Sequence, residues 1–293
     1  KDTVFTMNEG EISGNKMSTQ YIQKDSTANF TGQGIGIYSG KDSKLVIQGT
    51  EDSSGDKIIK SARIIGNQGY LTQGVGVFSE GSEISIENAS ISGNFTNRIT
   101  NRSSSNGIGI CAISDVVFTL KNSEVKSNIG SQTSYGEALG AGIYLKSNKD
   151  NYIIDCDISE NKVGYMYTPS NTTSSGGGIY LSGNLTIEDS NIYKNQATYG
   201  GGIAFISTGD INYTLNIIDT KVFSNKGLSH GRYNNYGYGG GIYQSYGALN
   251  LSGETVIGGV LESEENYAYD DGGGIYCENG TLDITGTAED PII

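Results

Sequence analysis

The chain has no tryptophan, one histidine, two prolines and three cysteines in 293 residues. With so little proline, and with glycine following no triplet period, a proline-rich linker and a collagen-like helix are both excluded. Cys111, Cys156 and Cys277 stand far apart with no CxxC pair, which argues against a zinc ribbon or a dithiol redox site and leaves an odd thiol. The sole histidine, His230, sits beside Arg232 in a polar loop, a poor setting for acid–base catalysis. Basic residues are scarce: 19 Lys and Arg against 32 Asp and Glu give a formal charge of −13. Such a chain lacks the basic face that nucleic acid requires. No apolar run is long enough to form a transmembrane segment, and no charged-then-apolar leader follows Lys1, so a soluble chain is expected. The absence of an initiator Met points to a processed subunit or to a segment of a longer surface protein.

What is abundant is glycine, 44 residues, about twice the usual share. Much of it falls in one recurring stretch. Gly176-Gly177-Gly178-Ile179-Tyr180 has counterparts beginning at Gly34, Gly74, Gly107, Gly140, Gly200, Gly239 and Gly272. Successive copies start 40, 33, 33, 36, 24, 39 and 33 residues apart, so one unit repeats with insertions of varying length. A second signature follows, an alternating apolar pair, a small residue, and then an apolar residue three positions before an asparagine. It runs from Ile84 to Asn94, Phe118 to Asn128, Leu185 to Asn195 and Leu215 to Asn225, with partial copies at Phe5 to Asn15, Ile59 to Asn67, Ile153 to Asn161 and Leu249 to Gly259.

Alternation over three to five residues is the period of a strand, and no segment keeps a helical period. The chain is therefore read as all-β, with three short strands per repeat. Equivalent strands stacking in parallel give a single-stranded parallel β-helix, a solenoid of about eight coils and roughly 40 Å long, forming one domain over residues 1–293. Four columns support this. Ile37, Val77, Ile110, Ile143, Ile179, Ile203, Ile242 and Ile275 share one register and should stack as an interior ladder. Gly10, Ala62, Ala89, Ser123, Cys156, Ser190 and Thr220 make a column of small residues where the chain bends, which casts Cys156 as a packing residue. Asn15, Asn67, Asn94, Asn128, Asn161, Asn195 and Asn225 should form an asparagine ladder at a sharp corner, helped by asparagine's tolerance of left-handed backbone. Asn88, Asn122, Asp155, Asp189 and Asp219 mark another turn, where the stacked carboxylates must face water or meet a cation.

The two signatures together resemble the repeats of chlamydial polymorphic outer membrane proteins and of similar adhesin-like β-helix proteins from other bacteria and archaea. The resemblance spans essentially the whole chain. Here the third motif position is usually glycine, and Ile or Val stands where that family places Phe before the asparagine. The resemblance implies a right-handed helix and a secreted or cell-surface passenger region that serves attachment.

Loop length varies mainly at one corner, between the asparagine and the next glycine motif, from 4 residues after Asn195 to 18 after Asn15. Leu45 to Asp56 reads as a separate insertion. Candidate ligand contacts are an outward stripe beside the aliphatic ladder, Tyr38, Phe78, Tyr144, Tyr180, Tyr243 and Tyr276, and the loop tyrosines Tyr165, Tyr167, Tyr233, Tyr236 and Tyr238. Tyrosine offers contact area at low entropic cost, although stacked rings also simply protect a sheet. Glu262, Glu264, Glu265, Asp270 and Asp271 are the one acidic cluster read as a candidate site for a structural calcium; no other cofactor is expected. No set of facing carboxylates recurs on one sheet, so no catalytic residue is assigned. The expected function is adhesion to a host or neighbouring-cell glycan or protein. A stalk subunit stacking end to end, and a polysaccharide lyase or glycoside hydrolase on the same fold, are the alternatives.

Overall fold

The computed structural model of the chain describes residues 3–17, 32–54, 57–70, 72–96, 105–130, 137–163, 174–207, 212–228 and 236–286. Its architecture is all-β and solenoid-like, built from parallel sheets in which each strand pairs with its equivalent in the next repeat. A single three-residue 3₁₀ turn, Glu262–Glu264, is the only helical element among the described residues. Among the described residues, no helix is long and apolar enough to cross a membrane.

The glycine motifs supply one eight-stranded sheet running from Ile37–Ser39 to Ile275–Cys277. Its register sets Ile37, Val77, Ile110, Ile143, Ile179, Ile203, Ile242 and Ile275 side by side, as the spacing predicts. The alternating apolar pairs form a nine-stranded sheet from Thr3–Asn8 to Thr281–Thr285, and the segments approaching the asparagines an eight-stranded sheet from Gly10–Ser13 to Val256–Ile257. Two-residue strands also pair just after the asparagine and just before the glycine motif, so the repeat holds more strands than the three expected. Side chains from the three main sheets converge on one cluster of buried residues that runs from Met7 to Ile257.

The glycines of the motif do two separate jobs. The first glycine of all eight copies has a φ between 56° and 68°, a left-handed corner that disfavours a side chain. The third glycine lies under the asparagine ladder. A Cβ on Gly142 would stand 2.5 Å from the Gly178 carbonyl oxygen and 2.9 Å from Asn161 Nδ2. The two sequence signatures are thus two sides of one contact. Gly142→Ala is expected to destabilise the fold by about 2 kcal/mol, as overpacking does, visible as a lower urea midpoint at unchanged slope.

Each interior asparagine of the ladder, from Asn67 to Asn225, gives its side-chain N–H groups to the next asparagine's Oδ1 and to a carbonyl of the repeat on its other side. Asn128 Nδ2 donates to Asn161 Oδ1 at 2.9 Å and to Ile91 O at 3.0 Å, while its Oδ1 accepts from Asn94 N and Nδ2. The ladder has one further member, Asn266, which accepts from Asn225 at 3.1 Å. The left-handed backbone expected of the seven asparagines from Asn15 to Asn225 belongs instead to the residue before each, among them Gly93, Ser127, Glu160, Lys194 and Ser224. The Asn88, Asn122, Asp155, Asp189 and Asp219 column does turn left-handed, with φ of 44–54°. Ser123 and Ser190 of the small column close their corners by donating to Lys121 O and Glu188 O and by accepting backbone N–H groups from the preceding repeat. Cys156 is buried and places its thiol 3.1 Å from Ile154 O, in the role the serines play on either side.

Two segments depart from the spacing. Leu45 and Ile47 are not an insertion: they occupy the nine-stranded sheet between Phe5 and Ile84 and between Met7 and Ile86. The inserted element is an antiparallel hairpin, Glu51–Ser54 with Lys57–Lys60. It delivers Lys60 to the turn column, where the ammonium pairs with Glu51, donates to Asn122 Oδ1 at 2.9 Å and feels the charge of Asp155. Asp155, Asp189 and Asp219 are themselves exposed, so the stacked carboxylates face water, with the Lys60 ammonium acting beside Asp155.

Candidate functional site

The stripe beside the aliphatic ladder lies outside the core cluster, but it is not an open platform. Tyr38 is 52% exposed, whereas Phe78 is fully buried and Tyr243 is nearly so; Cys111 and Ala204, at the non-aromatic positions, are buried too. Tyr144, Tyr180 and Tyr276 are half-buried. Neighbouring rings stack in pairs, Tyr38 on Phe78, Tyr144 on Tyr180 and Tyr243 on Tyr276, because parallel strands hold equivalent side chains at ring-stacking distance. Burial raises the Tyr144 phenol well above its ordinary value and takes Tyr180 to about 12. These pairs protect the sheet, and Phe78 is out of a ligand's reach.

The exception is the far end of the stripe, where a second aromatic column joins the first. Tyr199 and Tyr238 each precede the first glycine of a motif and stack on one another, with centroids 5.6 Å apart and planes 16° from parallel. Tyr243 and Tyr276 stack at 5.6 Å and 5°. The pairs meet at an angle: Tyr199 faces Tyr243 at 5.0 Å and 65°, and Tyr238 faces Tyr276 at 5.0 Å and 54°. They form two walls of a shallow open trough of about 450 Å³, completed by Ser175, Ile206 and Glu278. Tyr236 leans on Tyr199 from outside, at 6.4 Å.

The trough is polar at its rim and negative. Tyr243 Oη donates to Glu278 Oε2 at 2.8 Å. Burial, and then this bond to a carboxylate, hold the Tyr243 phenol protonated. The charge of Asp270 raises Tyr238, while burial is the chief cause for Tyr199 and Tyr236. The phenols of Tyr199, Tyr236 and Tyr238 therefore act as neutral donors attached to flat apolar faces, while the Tyr243 proton is committed to Glu278. The arrangement suits a flat ring with C–H faces and hydroxyl edges, with Glu278 as a strong acceptor.

Of the loop tyrosines, Tyr236 and Tyr238 are brought to the trough, while Tyr165, Tyr167 and Tyr233 lie outside the described residues, as does His230. The five acids read as a calcium cluster do not converge: Glu264 pairs with Lys221 and Asp270 Oδ2 accepts from Gly237 N. No group of three or more His, Cys, Asp or Glu among the described residues is placed to hold a metal ion. Sequence reasoning passed over Tyr199 and Glu278. The register pairs Ser175, Tyr199, Tyr238 and Asp271 in turn immediately before the motif glycines, a column too poor in aromatics to stand out. Set against family models, curated proteins and solved structures, the chain finds no match in any of the three.

Proposed function

We propose that this chain is a right-handed parallel β-helix of about eight coils that serves as an extracellular or cell-surface binding protein of the adhesin type, with a glycan as ligand. The observation that carries this reading is the trough of Tyr199, Tyr238, Tyr243 and Tyr276 with Glu278 on its rim. Pyranose rings bind where aromatic faces meet their C–H groups and a carboxylate or phenol takes their hydroxyls. The likeness of the two sequence signatures to adhesin repeats agrees with an attachment role.

Glycan arrays and binding to intact cells test the reading. Tyr276→Ala is expected to weaken binding about tenfold, the equivalent of one ring stack at about 1.4 kcal/mol. Tyr276→Phe, which keeps the ring, should stay near wild type, and Tyr38→Ala, at the opposite end of the stripe, should be silent. Wild type and Tyr276→Ala equally inert on every glycan and cell surface would sink the proposal.

A further inference from the structure

Among the described residues, no cation pairs with the carboxylates around the trough. Glu278 lies on the rim, bonded to Tyr243, and Asp270 and Asp271 act on Tyr238 from the adjoining segment. The six ion pairs among the described residues all lie elsewhere. At its other corner the same chain meets the same electrostatic problem differently. There the hollow lined by Glu51, Glu124, Asp155, Asp157 and Asp189 receives the Lys60 ammonium from the inserted hairpin. At the trough, negative charge is combined with four aromatic faces, and aromatic faces attract cations. Glu278 has spent one oxygen on Tyr243, and a carboxylate has acceptor sites to spare for an N–H donor.

Building on the glycan reading, we infer that the trough selects sugars that carry a protonated amine, with the pyranose face on the tyrosine rings and the ammonium at Glu278. A neutral sugar would use the rings and bring no counter-charge to the three carboxylates. An ammonium on the ring uses both, since it donates up to three hydrogen bonds and adds cation–π attraction.

Three β-1,4-linked tetrasaccharides of equal length separate the terms, because they differ only in the group at C2: glucosamine (amine), N-acetylglucosamine (acetamide) and glucose (hydroxyl). Titration of the full chain by calorimetry, or by the tyrosine fluorescence that a tryptophan-free protein offers, is expected to rank the amine about tenfold or more above the other two. Added salt should erode that advantage and leave the neutral ligands unaffected. Glu278→Gln keeps an acceptor for Tyr243 and removes the charge, so the ratio of amine to neutral affinity should fall to about threefold or less, whatever all three sugars lose with the carboxylate acceptor. Equal affinity for all three sugars would overturn amine selection and leave the glycan reading intact, whereas no binding by any would remove both. A preference unchanged in Glu278→Gln overturns the carboxylate's role. Trilysine binding as tightly as the glucosamine oligomer would overturn the sugar and assign the ammonium to a protein ligand.

Discussion

Asn128→Ala is expected to cost about 5 kcal/mol of folding stability, several times the effect of an ordinary surface substitution. Asn128 is fully buried and uses its whole side chain. Its amide donates to Asn161 Oδ1 and Ile91 O, and its oxygen accepts both the backbone and the side-chain N–H of Asn94. Alanine leaves the Asn94 N–H and one Asn94 amide proton without partners in a site closed to water, and takes from the Ile91 carbonyl its side-chain donor. An orphaned buried group costs about 1–3 kcal/mol, and the void left by the amide adds to the sum. Asn128→Asp restores the size but not the donor, and sets an acceptor against Asn161 Oδ1, so it should be no better. Asn15 is the informative control, because it sits at the exposed end of the ladder and only donates, to Asn67 Oδ1; Asn15→Ala should cost about 1 kcal/mol. Urea midpoints for the three variants check the gradient. Equal, small shifts at positions 15 and 128 would mean that the ladder decorates the corner without holding it.

The reason this ladder was legible in the sequence is that its members stand at a fixed distance from strands that must stack. Counting from each glycine motif also placed the aliphatic ladder, the small column and the left-handed turn column. Counting fails where an insertion breaks the count. Ile59 sits at the right distance from Asn67, but a strand's place is decided by the neighbour it pairs with, and Phe5 and Ile84 pair with Leu45. The hairpin between Ile47 and Ala62 is what separated the two halves of that repeat. The same failure hid Asn266: after Ile257 the chain makes a detour through Gly258, with φ of 105°, and the Glu262–Glu264 turn before it rejoins the ladder.

The trough was harder to foresee because it depends on two columns at once. The outward stripe was visible as a pattern, yet its exposure was not, since pattern alone does not reveal which rings are covered. Tyr199 and Tyr238 belong to a column whose other members are Gln33, Gln73, Asn106, Leu139, Ser175 and Asp271. Only two aromatic residues in eight gave that column no aromatic signature. Their meaning arises where they fall, next to the one stretch of stripe that carries Tyr243 and Tyr276 together.

Raising the pH from 9 to 12 is expected to unfold the protein, and the buried tyrosines and thiols give the reason. Burial raises the Tyr180 phenol from its ordinary 10.0 to about 12, and the Cys156 thiol from 9.0 to about 12. Tyr144, Tyr243 and Cys111 are raised further by burial. Each group is an acid that the folded state keeps protonated while the unfolded chain lets it ionise at its ordinary value. The unfolded state therefore binds fewer protons in this window, and stability falls as pH rises. The contribution is whole below the unfolded values, near 9 for the thiol and 10 for the phenol, and is lost on the way to the folded values near 12. By pH 12 the loss is about 2 kcal/mol for Tyr180 and about 4 kcal/mol for Cys156, and the more strongly raised groups add to it. Such a sum is comparable to the whole stability of many domains, about 5–15 kcal/mol. Phenolate absorbance should show exposed tyrosines titrating first and a second, cooperative step that coincides with loss of the β circular-dichroism signal. Cys156→Ser places a hydroxyl between Ser123 and Ser190 in the same column. It removes one titrating group, and so should move the alkaline transition to higher pH while leaving stability at neutral pH nearly unchanged. Smooth ionisation of all 20 tyrosines near their ordinary value, with the β signal intact, would show that the rings in the stripe are open to water.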